Sequence, residues 1–335
     1  MSRRNLGLAV AAAAAWSLFL ALEQPWRGDA HARTAAQVRP LFPDFERQRE
    51  TARRVELRDS EGGAMIEWRD DRWWVREKQH PADLRRLVQI VDMLERLETR
   101  DPVAVTADSH ATYGVAADQG VRVTVADAEG RILADWIAGQ LRHQDVTLGQ
   151  QPVLEIYMRR ADRAEVYLTG DAILPSVDPV AWCDTRFLAE VEEPEIEWVR
   201  REDFETGESW RIERVPEAER EAVGAAWRLT EPEPAQAAWD FAGESLMHTL
   251  LGLTASDVLG RAGDPAADAA QHGFPTDRFT IGVAGQVLRL ELGRPVRTGH
   301  RALRVGGIPF LYSLGDFDVA QLRQPVAEML PAEED

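Results

Sequence analysis

Few residues in this chain stand where reactive chemistry would need them. Ser109-His110 offers a nucleophile beside a base, as a hydrolase would use. It falls in a polar stretch between an apolar-striped segment and Tyr113, so a loop is the expectation. Cys183 is the single cysteine, within Trp182-Cys183-Asp184. Alone it excludes an internal disulfide, a four-cysteine zinc site and a CxxC redox pair, and it reads as a small buried hydrophobe. The seven histidines (31, 80, 110, 143, 248, 272 and 300) include no pair at metal-ligand spacing. The acid-rich run from Glu190 to Glu195 lacks the alternating pattern of a calcium loop and reads as a solvated linker. No GxxxxGKS/T phosphate loop, GxGxxG turn, GxSxG elbow or HExxH helix occurs. The expectation is a chain with no catalytic residue, no cofactor and no metal.

Binding chemistry is better represented. The chain has 11 tryptophans against 4 tyrosines, and exposed Trp serves as a hot spot for protein partners and a platform for sugars. Trp74 and Trp227 stand at matching places ahead of Pro81 and Pro234, so each is expected to lock a helix onto a sheet. Adjacent strand residues face opposite ways, so an inward Trp74 puts Trp73 outward. Trp73, with Trp68, is therefore the candidate partner contact.

Those tryptophans belong to a duplication. Tyr113-Gly114, with Asp118 beyond it, is answered by His272-Gly273 and Asp277; Val166-Tyr167-Leu168-Thr169-Gly170-Asp171 is answered by Leu311-Tyr312-Ser313-Leu314-Gly315-Asp316. Trp74, Gly114 and Tyr167 precede Trp227, Gly273 and Tyr312 by 153, 159 and 145 residues, offsets that loop insertions reconcile. Trp74, Trp227, Pro81, Pro234, Gly114, Gly273, Tyr167 and Tyr312 are thus assigned structural roles in the repeat.

The elements follow from periodicity. Arg54 to Arg58 and Met65 to Trp68 alternate like strands, and Asp70-Asp71 reads as a hairpin turn. Pro81 is expected to open a helix striped by Leu84, Leu87, Val88, Val91, Leu94 and Leu97. Strands follow at 121–125, 132–137, 154–158 and 166–168. The second copy repeats the order with an acidic loop at Glu217 to Glu221, then a helix opened by Pro234 and striped by Ala238, Trp239, Ala242, Leu246 and Leu250. Its late strands are expected at 279–283, 287–292, 302–305 and 310–314. The fold class is α+β: two tandem repeats, each a largely antiparallel sheet of short strands with one long helix.

Charge and the N-terminus bound the setting. A formal charge of −18 over 335 residues, with no Arg-aromatic cluster, excludes nucleic acid as a partner. Arg3-Arg4 precedes an uncharged apolar run from Leu6 to Leu22, just long enough to span a bilayer with the remainder exported. The only attractive cleavage site, Ala30-His31-Ala32, lies ten residues past that run, which favours a retained signal-anchor over a cleaved signal peptide. Trp16 and Trp26 suit interfacial anchors. The expected organisation is a cytoplasmic stub at 1–4, a transmembrane helix at 5–22, a tether at 23–40, repeats at 41–188 and 189–330, and an acidic tail at 331–335.

Taken in order, the anchor, the hairpin ending in Trp, the Pro-led helix, the Tyr-Gly element and the late Val-Tyr strand resemble the bacterial envelope family of unknown function number 4340. Members of that family are often encoded beside gliding-motility-type ABC transporter subunits. The resemblance implies an inner-membrane protein with its body in the periplasm or extracytoplasmic space, and permease and ATPase subunits as partners. It carries over no catalytic or binding residue. The leading functional expectation is an accessory or scaffold protein of an ABC-type export or gliding-type complex. The alternative is an envelope polysaccharide-binding module, and the third is an enzyme with a site between the repeats.

Overall fold

A computed structural model describes residues 39–99, 101–142, 155–170, 175–233, 236–237, 240–262, 264 and 271–330. The stub, the anchor at 5–22, most of the tether, the tail at 331–335, and Asp171, Pro234, Ala238 and Trp239 lie outside them. Among the described residues no helix is long and apolar enough to cross a membrane.

Among the described residues up to Gly170 the chain forms ten strands, the longer ones from alternating apolar residues. They are β1 (Arg39–Pro40), β2 (Ala52–Arg58), β3 (Gly63–Arg69), β4 (Arg72–Val75), β5 (His80–Pro81), β6 (Glu98–Thr99), β7 (Val121–Asp127), β8 (Ile132–Leu141), β9 (Glu155–Arg160) and β10 (Tyr167–Gly170). The second repeat adds β11 (Ile196–Asp203), β12 (Ser209–Arg214), β13 (Trp227–Glu231), β14 (Gln236–Ala237), β15 (Asp257–Arg261), β16 (Asp277–Val283), β17 (Gln286–Arg297), β18 (His300–Val305) and β19 (Phe310–Gly315). Apart from the small pair of β1 with β6, two large sheets result.

Their orders are β10-β9-β8-β7-β2-β3-β4-β5 and β14-β13-β12-β11-β16-β17-β18-β19-β15. Read from opposite ends, these are one pattern with a ninth strand added. The registers agree too. Val55 stands opposite Ile66 on one side and Val125 on the other, and Val199 stands opposite Ile212 and Ile281 in the same way. All six are buried, so each sheet is centred on an equivalent β-branched triplet of the kind that packs well across strands.

The compact units are not the repeats. One comprises Met1–Glu67 with Arg85–Val177; the other comprises Trp68–Leu84 with Asp178–Asp335. The first places Leu57, Ile66, Leu94, Val123, Trp136 and Ile156 in its core. The second does the same with Trp210, Trp227, Phe279, Leu290 and Leu303. Its early segment is secured by hydrogen bonds within that unit: Asp83 N–H donates to Trp182 O at 2.8 Å and Asp184 N–H to Pro81 O at 3.0 Å.

Four local expectations are corrected. Pro81 does not open the helix, which runs Leu84–Arg96; it sits in β5 opposite Trp74, where a short strand tolerates its missing N–H. The buried stripe of that helix is Leu87, Ile90, Met93 and Leu94, whereas Leu84 and Val88 are 57% and 54% exposed. Leu97, just past the helix, is buried as well, and at 100° per residue Leu84 and Val88 turn away from the centre of the stripe. The acidic run at 217–221 is helical, Glu217–Val223, with Glu217 and Glu219 in the first turn and Gly224 closing it at φ 75°. Asp118 and Asp277 are not equivalent: Asp118 is exposed in a turn, and Asp277 is fully buried at the start of β16.

Candidate functional site

The Tyr-Gly and His-Gly elements show how far the duplication reaches. Gly114 has φ 67° and Gly273 has φ 56°, the left-handed region that glycine enters without steric cost. Tyr113 O accepts from Gln140 N–H at 3.1 Å, and His272 O accepts from Arg294 N–H at 2.7 Å. The residues just before those donors, Gly139 and Gly293, admit the close approach. A Cβ there would fall 2.4 Å from Tyr113 O and 2.6 Å from His272 O. This second glycine pair escaped sequence reading, because no neighbouring residue type repeats with it.

The tryptophans divide. Trp227 is 1% exposed. Its indole lies against Gly243 of the helix Asp240–Leu251, where a Cβ would sit 2.5 Å from Trp227 Cδ1, and the Arg214 guanidinium covers the ring at 4.4 Å. Trp74 does not hold this position. In β4 it is Val75 that is fully buried, and alternation puts Trp73 on the same face and Trp74 on the other. Trp74 is half-buried; its Nε1–H donates to Arg69 O at 3.1 Å, and Arg69 and Arg72 approach its ring at 4.9 and 5.9 Å. Trp68, 40% exposed, meets the half-buried Trp73 edge-to-face at 5.8 Å. Tyr167 is half-buried, whereas Tyr312 is fully buried.

Trp74 and Tyr312 line one cavity of about 330 Å³ inside the second unit. Three kinds of side chain build it. The aromatic wall is Trp74, Phe187, Phe310 and Tyr312, with Phe187 packed edge-on against Tyr312 at 4.9 Å. The cationic lining is Arg72 from β4, Arg186 from the segment after Cys183, and Arg261 from the end of β15. Asp184 is the one carboxylate.

His80 of β5 joins these three. Its ring packs on Phe310 at 4.5 Å. Because a carbonyl can only accept, His80 Nδ1–H donates to Pro81 O at 2.8 Å. Nε2 then accepts from the Tyr312 hydroxyl at 3.0 Å. Burial pushes the His80 pKa down, and the Pro81 carbonyl opposes this only in part. Burial likewise raises the Tyr312 phenol and holds Cys183 up at about 12.

Of the cavity arginines, Arg186 is engaged: Nη2–H donates to Asp83 at 3.2 Å and Asp184 at 3.3 Å. Its Nε–H is buried and meets no acceptor among the described residues. The guanidinium groups of Arg72 and Arg261 have no carboxylate partner among the described residues, while the Arg261 backbone N–H donates to Asp264 at 3.2 Å. Lys78, the only lysine, pairs with Asp257 at 2.6 Å.

Elsewhere in the second unit, charge is consumed structurally. Arg201 Nη2 lies 2.9 Å from both Asp203 and Asp277, and Arg323 Nε lies 3.1 Å from Asp277. Arg201 also donates to the carbonyls of Arg323 and Gln324, and Trp210 Nε1–H donates to Gln324 O at 3.1 Å. The network thus fixes the chain after the helix Asp316–Leu322. Among the described residues, no cluster of three His, Cys, Asp or Glu could hold a metal ion.

These features define a class: a tandem α+β protein of two antiparallel sheets, with a cationic, aromatic cavity in its second unit. Against known families, residues 73–276 match the domain of unknown function DUF4340, more than half of the chain, and the protein belongs to that family. The match begins in β4 and ends just before β16, so the family's unit runs through the junction of the repeats. No curated protein and no solved structure matches the chain.

Proposed function

We propose that the protein is a non-catalytic, membrane-tethered subunit of the bacterial envelope, serving as accessory or scaffold to an ABC-type export or gliding-type complex. The observation that carries binding over catalysis is the state of the reactive groups at and beside the cavity. The lone pair of His80 is occupied by Tyr312, the Tyr312 proton is committed to His80, and Cys183 is held as the neutral thiol. A general base needs a free lone pair and a nucleophile needs a lowered pKa. What the cavity presents instead is guanidinium and aromatic surface, the material of recognition.

The envelope location is supported by Arg3-Arg4 ahead of the uncharged run that ends at Leu22. Association with permease and ATPase subunits is supported by the family resemblance. Capture through the C-terminus from detergent-solubilised membranes should bring down a permease and an ATPase, and carbonate washing should leave the chain in membranes. A soluble mature protein beginning at Arg33 would sink the tether. Turnover of a panel of ester, glycoside or nucleotide substrates, abolished by His80→Gln, would sink the non-catalytic reading. Polysaccharide binding is the second reading, favoured by the Arg-lined aromatic cavity.

A further inference from the structure

The cavity of the second unit reverses the electrostatic character of the chain. The protein as a whole carries −18, yet the lining has three arginines against one aspartate, and burial favours the neutral form of His80. A cationic concavity on an acidic body concentrates anions locally and is retained at a cost in self-repulsion only where something offsets it. Several arginines of this unit are neutralised: Arg201 and Arg323 by buried aspartates, and Arg278 and Arg304 by Glu291. Arg72 and Arg261 are different. They reach the cavity from separate strands, and neither guanidinium meets a carboxylate among the described residues, while the Arg261 backbone N–H donates to Asp264 at 3.2 Å. Arg186 adds a buried Nε–H that lacks an acceptor, and a buried donor left unsatisfied costs free energy that a bound acceptor would recover.

The size and the wall narrow the ligand. About 330 Å³ sits at the small end of ligand sites and suits one or two rings. Trp74 offers a flat apolar surface, and Asp184 can accept hydrogen bonds from hydroxyls. We infer that this cavity binds an anionic saccharide, whose oxyanion pairs with Arg72 and Arg261 while its ring lies against Trp74. This deepens the polysaccharide reading of the same protein by naming what part of a polymer is recognised. A carboxylate on a uronic acid and a phosphate on a sugar present the same oxyanion chemistry to these arginines.

The test uses the full chain in detergent, titrated calorimetrically with a diglucuronate, with glucose 6-phosphate and with maltose. Binding of the diglucuronate or the sugar phosphate, but not of maltose, is expected, and the tighter of the two identifies the source of the oxyanion. Affinity should fall as salt rises. Arg72→Ala and Arg261→Ala should each weaken binding about tenfold or more, the usual loss for a charge-assisted hydrogen bond. Both side chains are exposed, so unchanged melting curves are expected for the variants. Arg58→Ala, at an exposed position of β2 in the first unit, should bind within about threefold of the parent chain.

Equal affinity for maltose, or full affinity in the Arg72→Ala/Arg261→Ala double variant, would overturn the proposal. So would the absence of binding by both anions at millimolar concentration. Loss of the anion site with permease and ATPase still captured would refute this inference alone. Turnover of a bound anion would leave the site standing and remove the non-catalytic reading.

Discussion

The two sheets share a strand order, a central triplet and a glycine-gated loop, and they part company at one edge. In the first unit the chain after the helix Leu84–Arg96 makes one isolated bridge, Ala104 with Val166, the residue just before β10. Beneath it lies a small apolar cluster of Val115, Ile137 and Val166, with Tyr113 and Tyr157 packed at 4.7 Å. In the second unit the same stretch has become β15, four residues paired with β19, and its last residue, Arg261, lines the cavity. The buried arginines differ in parallel. Arg159 donates only to carbonyls, those of Val115, Arg160, Ala161 and Arg163, and burial depresses its pKa. Arg201 is held between two aspartates. One copy is closed with uncharged partners and the other with charged ones, which suggests that duplication supplied a scaffold and edge elaboration supplied the site.

The sharpest way to break this comparison is at the tryptophans. Trp227→Ala should cost about 3–5 kcal/mol, the range for truncating a buried Trp. Trp74→Ala, at a half-buried cavity wall, should cost about 1 kcal/mol or less. Urea denaturation of the chain reads both, and equal losses would restore Trp74 as a helix lock. Next comes charge. Asp277→Ala leaves Arg201 buried without its best partner and should cost about 3–5 kcal/mol. The same measurement on Asp135→Ala, whose partner Arg122 is exposed, should give about 1 kcal/mol or less.

The glycines test equivalence instead of difference. Gly139→Ala and Gly293→Ala each drive a methyl group into a backbone carbonyl, and each should cost about 1–3 kcal/mol. A large loss at one position with none at the other would show that the two loops are not structural counterparts.

The smallest effect is on pH. A histidine whose folded pKa lies below its unfolded value binds fewer protons when folded. Stability therefore falls as pH drops through the unfolded pKa near 6.5 and continues to fall until the lower folded pKa is passed. Melting temperature should decline between pH 7.5 and 5.5, and His80→Gln should flatten that slope. The carboxylates act lower. Burial opposes ionisation of Asp203, but the backbone N–H groups of Thr206 and Glu205 and the charge of Arg201 outweigh it and keep its pKa below the ordinary value. Glu291 is likewise held down by Arg304 and Arg278 against burial. Their contribution is present above pH 4 or so and is lost on further acidification.

Much of the scaffold was legible in the residues. Alternation located most of the longer strands but neither β13 nor β15, Asp70-Asp71 marked a hairpin turn that both residues close with positive φ, and the duplicated motifs announced two copies. What stayed hidden depends on distance along the chain. Lys78 meets Asp257 across 179 positions and His80 meets Tyr312 across 232. No periodicity links such residues, so the cavity arginines 72, 186 and 261 gave no local signal. The facing of Trp73 and Trp74 failed for a related reason: alternation fixes relative faces, but Val75, not either Trp, determines which face is inward.

The early segment Trp68–Leu84 has a consequence for how the protein is made. It leaves the ribosome well before Asp178, the residue at which the rest of the second unit begins. At usual elongation rates that interval is on the order of ten seconds. Through all of it, Trp74 and His80 wait without Tyr312, Phe187 or Phe310, so the unit that holds the cavity cannot close until synthesis is nearly complete. Any nascent chain stalled between the repeats therefore holds three tryptophans, Trp68, Trp73 and Trp74, without the rest of their unit, the kind of surface that chaperones capture.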